Sequence, residues 1–193
     1  MTLLLFVICL IVAVAALAIH LQPDRFVVTR SALIDAAPEK VFAAINNLRN
    51  WDSWSPWANL DPHATASFEG PAAGPGAAFE WSGDKSVGAG RMTIVDSRPT
   101  ERVDIKLDMR KPFKGSNDIS FALAPDGEDV AGSWLARAFR VGRKSPARTH
   151  VTWTMSGQAD FVSKAVNLAM NCDKMVGGQF EKGLANLNAH LSK

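Results

Sequence analysis

The sequence has no tyrosine, two cysteines and almost no net charge. Without tyrosine, its aromatic surface comes from ten phenylalanines and six tryptophans, and Trp supplies a large apolar face with a single donor to satisfy. Cys9 lies inside an apolar run and Cys172 in a late helical pattern, so a disulfide would have to tie that run to the rest of the chain. Neither has a second Cys or a His at metal-ligand spacing, and both read as thiols in apolar surroundings. A balance of 21 basic against 19 acidic residues lacks the clustered excess of a nucleic-acid-binding surface, so no nucleic-acid partner is expected.

Catalytic signatures are also missing. His20 abuts the apolar run, His63 precedes a strand pattern, His150 opens one and His190 is near the C-terminus, with no H-x-x-x-H spacing among them. There is no phosphate-binding Gly loop and no nucleophile elbow, and Gly70 to Gly76 lacks the Lys of such a loop and reads as a turn. No catalytic residue, metal or cofactor is predicted.

What is present begins with Leu3 to Ile19, 17 residues without charge, Gly or Pro. As a helix they span roughly 26 Å, and extension through Leu21 reaches the thickness of a bilayer core. Residues 1–22 are therefore expected to be a single-pass transmembrane anchor. The alternative is a signal peptide, for which Ala16-Leu17-Ala18 offers a small-x-small site, although no basic residue precedes the run. Arg25 and Arg30 follow it, which places the domain on the cytoplasmic face by the positive-inside rule, whereas cleavage would export it.

Residues 25–193 read as one domain. Residues 26 to 34 form a strand pattern, and Pro38 suits the first turn of a helix that carries Val41, Phe42, Ile45 and Leu48 at helical spacing. Period-two alternation follows at Ala77-Phe79-Trp81, Val103-Ile105-Leu107-Met109, Ile119-Phe121-Leu123 and Val151-Trp153-Met155. This predicts an antiparallel sheet with one covered and one wet face. From Phe161 to Leu191, apolar residues recur at three- and four-residue steps through Met175, Phe180, Leu184 and Leu187, the pattern of a long amphipathic helix over 160 to 192. Gly177, Gly178 and Gly183 on it either permit close packing on the sheet or leave room for a ligand. The architecture is α+β.

Several motifs then bring a resemblance into view. Trp51-Asp52-Ser53-Trp54-Ser55-Pro56-Trp57 precedes Asp61-Pro62; Phe79-Glu80-Trp81-Ser82-Gly83 leads to Gly88-Ala89-Gly90-Arg91-Met92; Lys111-Pro112-Phe113-Lys114 and Val151 to Gly157 follow, then Phe180-Glu181-Lys182-Gly183-Leu184. Together these resemble the polyketide cyclase/dehydrase and lipid-transport group of the START-like (SRPBCC) superfamily. The resemblance implies a helix-grip fold, a curved antiparallel sheet wrapped on a long C-terminal helix, with a sterol, lipid, polyketide or other apolar molecule held between them. Carriers, sensors and enzymes share that scaffold.

The sequence departs from the family pattern with an insertion over 126–148. In it Trp134, Leu135, Ala138 and Phe139 can share one helical face, with Arg137, Arg140 and Lys144 on the other. The segment from Trp134 to Lys144 is thus a candidate second membrane contact, against an ordinary surface hairpin or a protein-binding segment.

The expected ligand-binding residues are Trp54, Trp57, Trp81, Met92, Met109, Phe121, Trp153, Met155 and Met175, with core packing as the competing role of each. Trp51, Trp54 and Trp57, three residues apart, serve as core staples or as the lip of a cavity. Glu80 and Arg91 are expected as a cross-strand pair on the wet face, or as buried groups that orient a ligand. The expected function is a membrane-tethered binding module for a hydrophobic small molecule or lipid. Its rivals are a cyclase/dehydrase-like enzyme in the same cavity and an interaction module with a filled core.

Overall fold

The computed structural model describes residues 2–112, 114–126, 147–159, 164–165 and 172–192. Helix α1 (Thr2–His20) is followed by strand β1 (Arg25–Ile34), helix α2 (Pro38–Asn46) and a 3-10 helix (Leu48–Ser53). Strands β2 (Thr65–Glu69), β3 (Ala78–Ser82), β4 (Ala89–Arg98), β5 (Arg102–Lys111), β6 (Gly115–Pro125) and β7 (Thr149–Gln158) come next, and helix α3 (Cys172–Leu191) closes the chain. The strands form one antiparallel sheet in the order β1-β7-β6-β5-β4-β3-β2, curved around α3. The alternation expected from the sequence is realised in these strands.

Local chemistry sets the boundaries. Pro38 takes the first turn of α2, where its missing N–H costs nothing, and Asn47 caps the 3-10 helix by accepting from Arg49 N at 3.0 Å. A 3-10 helix has three residues per turn, so Trp51 and Trp54 fall on one side, and both turn inward. The solvent-facing side of the sheet carries the charge. Arg91 bridges Glu80 at 3.5 Å and Glu69 at 2.8 Å, Arg110 also reaches Glu80, and Lys106 pairs with Asp118 at 2.9 Å. Glu80 and Arg91 therefore take the wet-face role. Arg110, then Arg91, holds the Glu80 carboxyl below the usual carboxylate range.

α3 packs through Val176, Phe180, Leu184, Leu187 and Leu191, spaced 4, 4, 3 and 4 along the chain as a helical stripe requires. The glycines on it differ in role. A Cβ at Gly183 would lie 2.8 Å from the Trp153 ring and 3.0 Å from Pro56, and one at Gly177 would meet the Arg30 guanidinium, so both permit close packing. Gly178 faces open space.

Arg30 sits on the inner side of β1 and clamps this helix. It bridges Glu181 at 2.7 Å and Asp173 at 3.0 Å. The Arg30 hydrogen bonds keep the Asp173 carboxyl below its ordinary 3.8, so the folded chain binds that proton less tightly than the unfolded chain. The stabilisation is complete above the carboxylate range and is lost as pH falls through the depressed value. The expected result is a thermal midpoint of Asp173→Asn below that of the parent at pH 7, with the gap closing between about pH 5 and pH 3. Calorimetry of both across that range checks it.

α1 has no buried residue and is long and apolar enough, by length and composition, to cross a membrane. Trp134 to Lys144 lies outside the described residues, as does most of 160 to 171.

Candidate functional site: a cavity between sheet and helix

All strands meet one end of the sheet in the same way: β1, β2, β4 and β6 begin there, and β3, β5 and β7 finish there. At the opposite end the space under the sheet is filled by α2 and the side chains that meet it. Val41, Ile45, Ile94, Val103, Val151 and Leu187 are all fully buried there. At the near end the filling stops, and a cavity of about 620 Å³ remains. Small-molecule sites commonly measure about 300–1,000 Å³.

The cavity wall is mainly apolar. Phe79 and Trp81 of β3, Met92 of β4, Leu107 and Met109 of β5, Ile119 of β6, Trp153 and Met155 of β7, and Val176 and Phe180 of α3 all contribute. Trp51, Trp57, Ala58 and the segment to Ala66 complete it. Of the sequence-predicted residues, Trp57, Trp81, Met92, Met109, Trp153 and Met155 meet on this wall.

Three others do not. Trp54, 1 % exposed, and Phe121, 0 % exposed, lie behind the wall in an aromatic cluster, with Trp54 5.9 Å and Phe121 4.7 Å from Trp153 between ring centroids. Strand alternation places Phe121 on the inner face, but one pair further from the near end than Ile119, where the core is already closed. Met175 is 50 % exposed because it lies one step off the α3 stripe that begins at Val176. The tryptophan triplet divides accordingly. Trp54 is a staple, Trp57 is half-buried on the wall, and Trp51 does both, donating its indole N–H to the Ile45 carbonyl at 2.9 Å.

The wall is held in shape by two close approaches. The six-membered ring of Trp81 lies over Gly90, where a Cβ would stand 2.7 Å from it, and the Trp81 indole donates to the Val87 carbonyl at 3.0 Å. Trp153 stacks on Phe180 with centroids 4.2 Å apart and planes 7° from parallel. These contacts fix aromatic faces toward the cavity; the Trp81 indole N–H is satisfied within the wall, whereas the buried Trp153 indole N–H has no hydrogen-bond partner among the described residues.

Polar groups on the wall are few. Asn117, half-buried, stands between Leu107 and Gly157 in register, and its side-chain amide has no hydrogen-bond partner among the described residues. A Cβ at Gly157 would collide with its amide oxygen, so glycine there gives the amide its place. Sequence reading missed Asn117. The signal for it was a polar residue at the inward position of an otherwise apolar strand face. Asp52 and Asp61 are the carboxylates on the lining; Asp61 is occupied, accepting from the backbone N–H of His63 at 2.9 Å and of Asp84 at 2.8 Å. Among the described residues no three His, Cys, Asp or Glu side chains gather as a metal site would require.

The pattern of the family described as polyketide cyclase / dehydrase and lipid transport matches residues 25–192, which hold all seven strands and α3. The chain belongs to this family. Solved structures of similar fold include protein MLL2253 from Mesorhizobium loti, with a TM-score of 0.56 and 15% identity over 86% of this chain and 97% of that one. XoxI from Bacillus cereus gives 0.57 and 13% over 86% and 96%, and a protein from Arthrobacter aurescens 0.53 and 16% over 88% and 86%. At these identities the likeness establishes the helix-grip fold. No curated protein matches the sequence. In this member of the polyketide cyclase / dehydrase and lipid transport family, the cavity lies at the end of the sheet where β1 begins.

Proposed function

We propose that this protein is a membrane-tethered binding module that holds a hydrophobic small molecule or lipid between its sheet and α3, with α1 as a single-pass anchor. The observation that carries the reading is the apolar cavity of about 620 Å³, walled by Trp57, Trp81, Met109, Trp153 and Met155. The family's description, which includes lipid transport, supports it, and so does α1, whose apolar surface is entirely unburied. Arg25 and Arg30 beyond the anchor favour a domain on the cytoplasmic face.

The energetics fit a reversible carrier or sensor. A guest that hides about 300 Å² of apolar surface gains roughly 7.5 kcal/mol, and a micromolar dissociation constant corresponds to about 8 kcal/mol. Asn117 adds selectivity, because an amide on an apolar wall with no side-chain partner among the described residues favours a guest with one hydroxyl or carbonyl at that place.

Titration with a fluorescent fatty alcohol and its matching alkane tests both statements. The alcohol should bind at micromolar concentration and more tightly than the alkane, and Asn117→Leu should reduce that preference to within about twofold. Failure of every apolar probe to bind would contradict the proposal.

A further inference from the structure

The cavity and the tether share one end of the sheet. α1 ends at His20, Leu21 N and Gln22 N close it by bonding to Leu17 O and Ile19 O, and β1 begins at Arg25. The four residues between can span no more than about 14 Å. A ten-residue strand is about 33 Å long, so if α1 spans a bilayer, the end where β1 starts stays near its surface and the opposite end is carried away from it.

That near end presents three exposed lysines. Lys85 is exposed in the β3–β4 loop, and Lys111 and Lys114 are exposed beside the β5–β6 turn. None has an ion-pair partner among the described residues, whereas Lys106, Arg91, Arg102 and Arg110 on the sheet are each matched to a carboxylate. The two loops form one rim. Gly88, with φ +65°, brings the first loop so close to the second that a Cβ there would run into the Lys111 carbonyl, and Pro112 is 3.4 Å from the same point. Lys85 and Lys111 line one depression of about 390 Å³ between the loops.

Of the carboxylates nearby, Asp52 is exposed on the cavity lining, and three hold local partners while keeping their charge. Asp84 accepts from the Ser86 amide at 2.7 Å and from its hydroxyl, Asp24 pairs with Lys164, and Asp61 holds the two backbone N–H groups described above. With Arg25, whose guanidinium donates to Ser156 at 3.4 Å, four exposed cations stand at this end, interspersed with the carboxylates of Asp52, Asp61 and Asp84, around a cavity walled by Val87, Trp81 and Met109.

We infer that this rim docks on an anionic bilayer surface, with Lys85, Lys111 and Lys114 against lipid headgroup phosphates, so that the cavity opens toward the leaflet and takes its guest from it. The inference rests on the membrane-tether part of the proposed function. It makes the ligand a molecule that partitions into bilayers, and it makes entry dependent on headgroup charge. Basic side chains near an anionic surface gain electrostatic free energy that decays within a Debye length, so the contact is weakened by salt.

Lysine footprinting tests it on the full chain held in nanodiscs of phosphatidylcholine alone or with phosphatidylserine. An amine-reactive ester is added and modification is read residue by residue by mass spectrometry. With phosphatidylserine, Lys85, Lys111 and Lys114 should react roughly fivefold more slowly than in phosphatidylcholine, and high salt should erase the difference. Lys40, exposed in the first turn of α2 at the opposite end, should react alike in both. Equal rates at the three rim lysines in the two discs, in a chain that resists carbonate extraction, would overturn the docking and leave the tether standing. Equal protection of Lys40 would overturn the orientation. A chain released by carbonate would overturn tether and docking together, while apolar-probe binding would still be judged by its own titration.

Discussion

Truncating Trp153 to alanine is expected to cost about 3–5 kcal/mol of stability and to lower the thermal midpoint by on the order of 10 °C. Trp153 is the hub at which the parts of the domain meet. Its ring stacks on Phe180 of α3 at 4.2 Å, lies 4.7 Å from Phe121 of β6, and is approached by Trp54 at 5.9 Å and Trp57 at 6.0 Å. Pro56 and Gly183 complete the enclosure, since any side chain at 183 would have to share space with both the ring and the proline. Removing the indole empties a volume that three separate elements converge on, and the neighbouring rings are themselves fixed by one another, so little collapse can recover the loss. The same variant joins the new void to the ligand cavity. Chemical denaturation gives the stability directly; a loss below about 1 kcal/mol would mean that the aromatic cluster does not hold α3 to the sheet.

The second large effect is on binding rather than folding. Met155→Glu should reduce affinity for apolar guests by at least a hundredfold while leaving the denaturation midpoint within a few degrees of the parent. Met155 is only half-buried, it lines the cavity beside Ile119 in register, and it lies on the side of Trp153 away from the closed core. A carboxylate there can remain hydrated in an empty cavity. An apolar guest would have to strip that hydration without offering a partner, and stripping a charge costs several kcal/mol. Fluorescent-probe titration and a thermal melt on the same sample separate the two outcomes. A melt that falls along with binding would assign Met155 to the core instead.

Much of this organisation was legible in the chain because the relevant signals are periodic. Alternation at Val103-Ile105-Leu107-Met109 and Val151-Trp153-Met155 needs a sheet with one covered face, and the stripe from Val176 to Leu191 needs something to cover it. Periodicity reports which face a residue occupies. It does not report how far along the strand the core closes. That is why Phe121 and Ile119, equivalent by pattern, take different roles, with Phe121 sealed under the 3-10 helix and Ile119 on the cavity wall. Trp54 was hidden for a similar reason, since three-residue spacing stacks it with Trp57 while the turn after Ser53 leaves only the later residue at the cavity. Asn117 escaped notice because a lone polar residue interrupts a pattern instead of making one. The value of Gly90, Gly157 and Gly183 depends on which ring or amide arrives opposite, and that is set by register between distant strands.

The half-filled interior is expected to hold an apolar guest. Native mass spectrometry with lipid extraction checks this on residues 25–193, which contain every residue of the core among the described residues, expressed in the protein's own host. The expected result is one co-purifying lipid or similarly apolar molecule per chain, retained by the parent and lost from Met155→Glu without loss of fold. A folded protein that carries nothing, and that also excludes fluorescent apolar probes, would contradict it and leave the domain an interaction module.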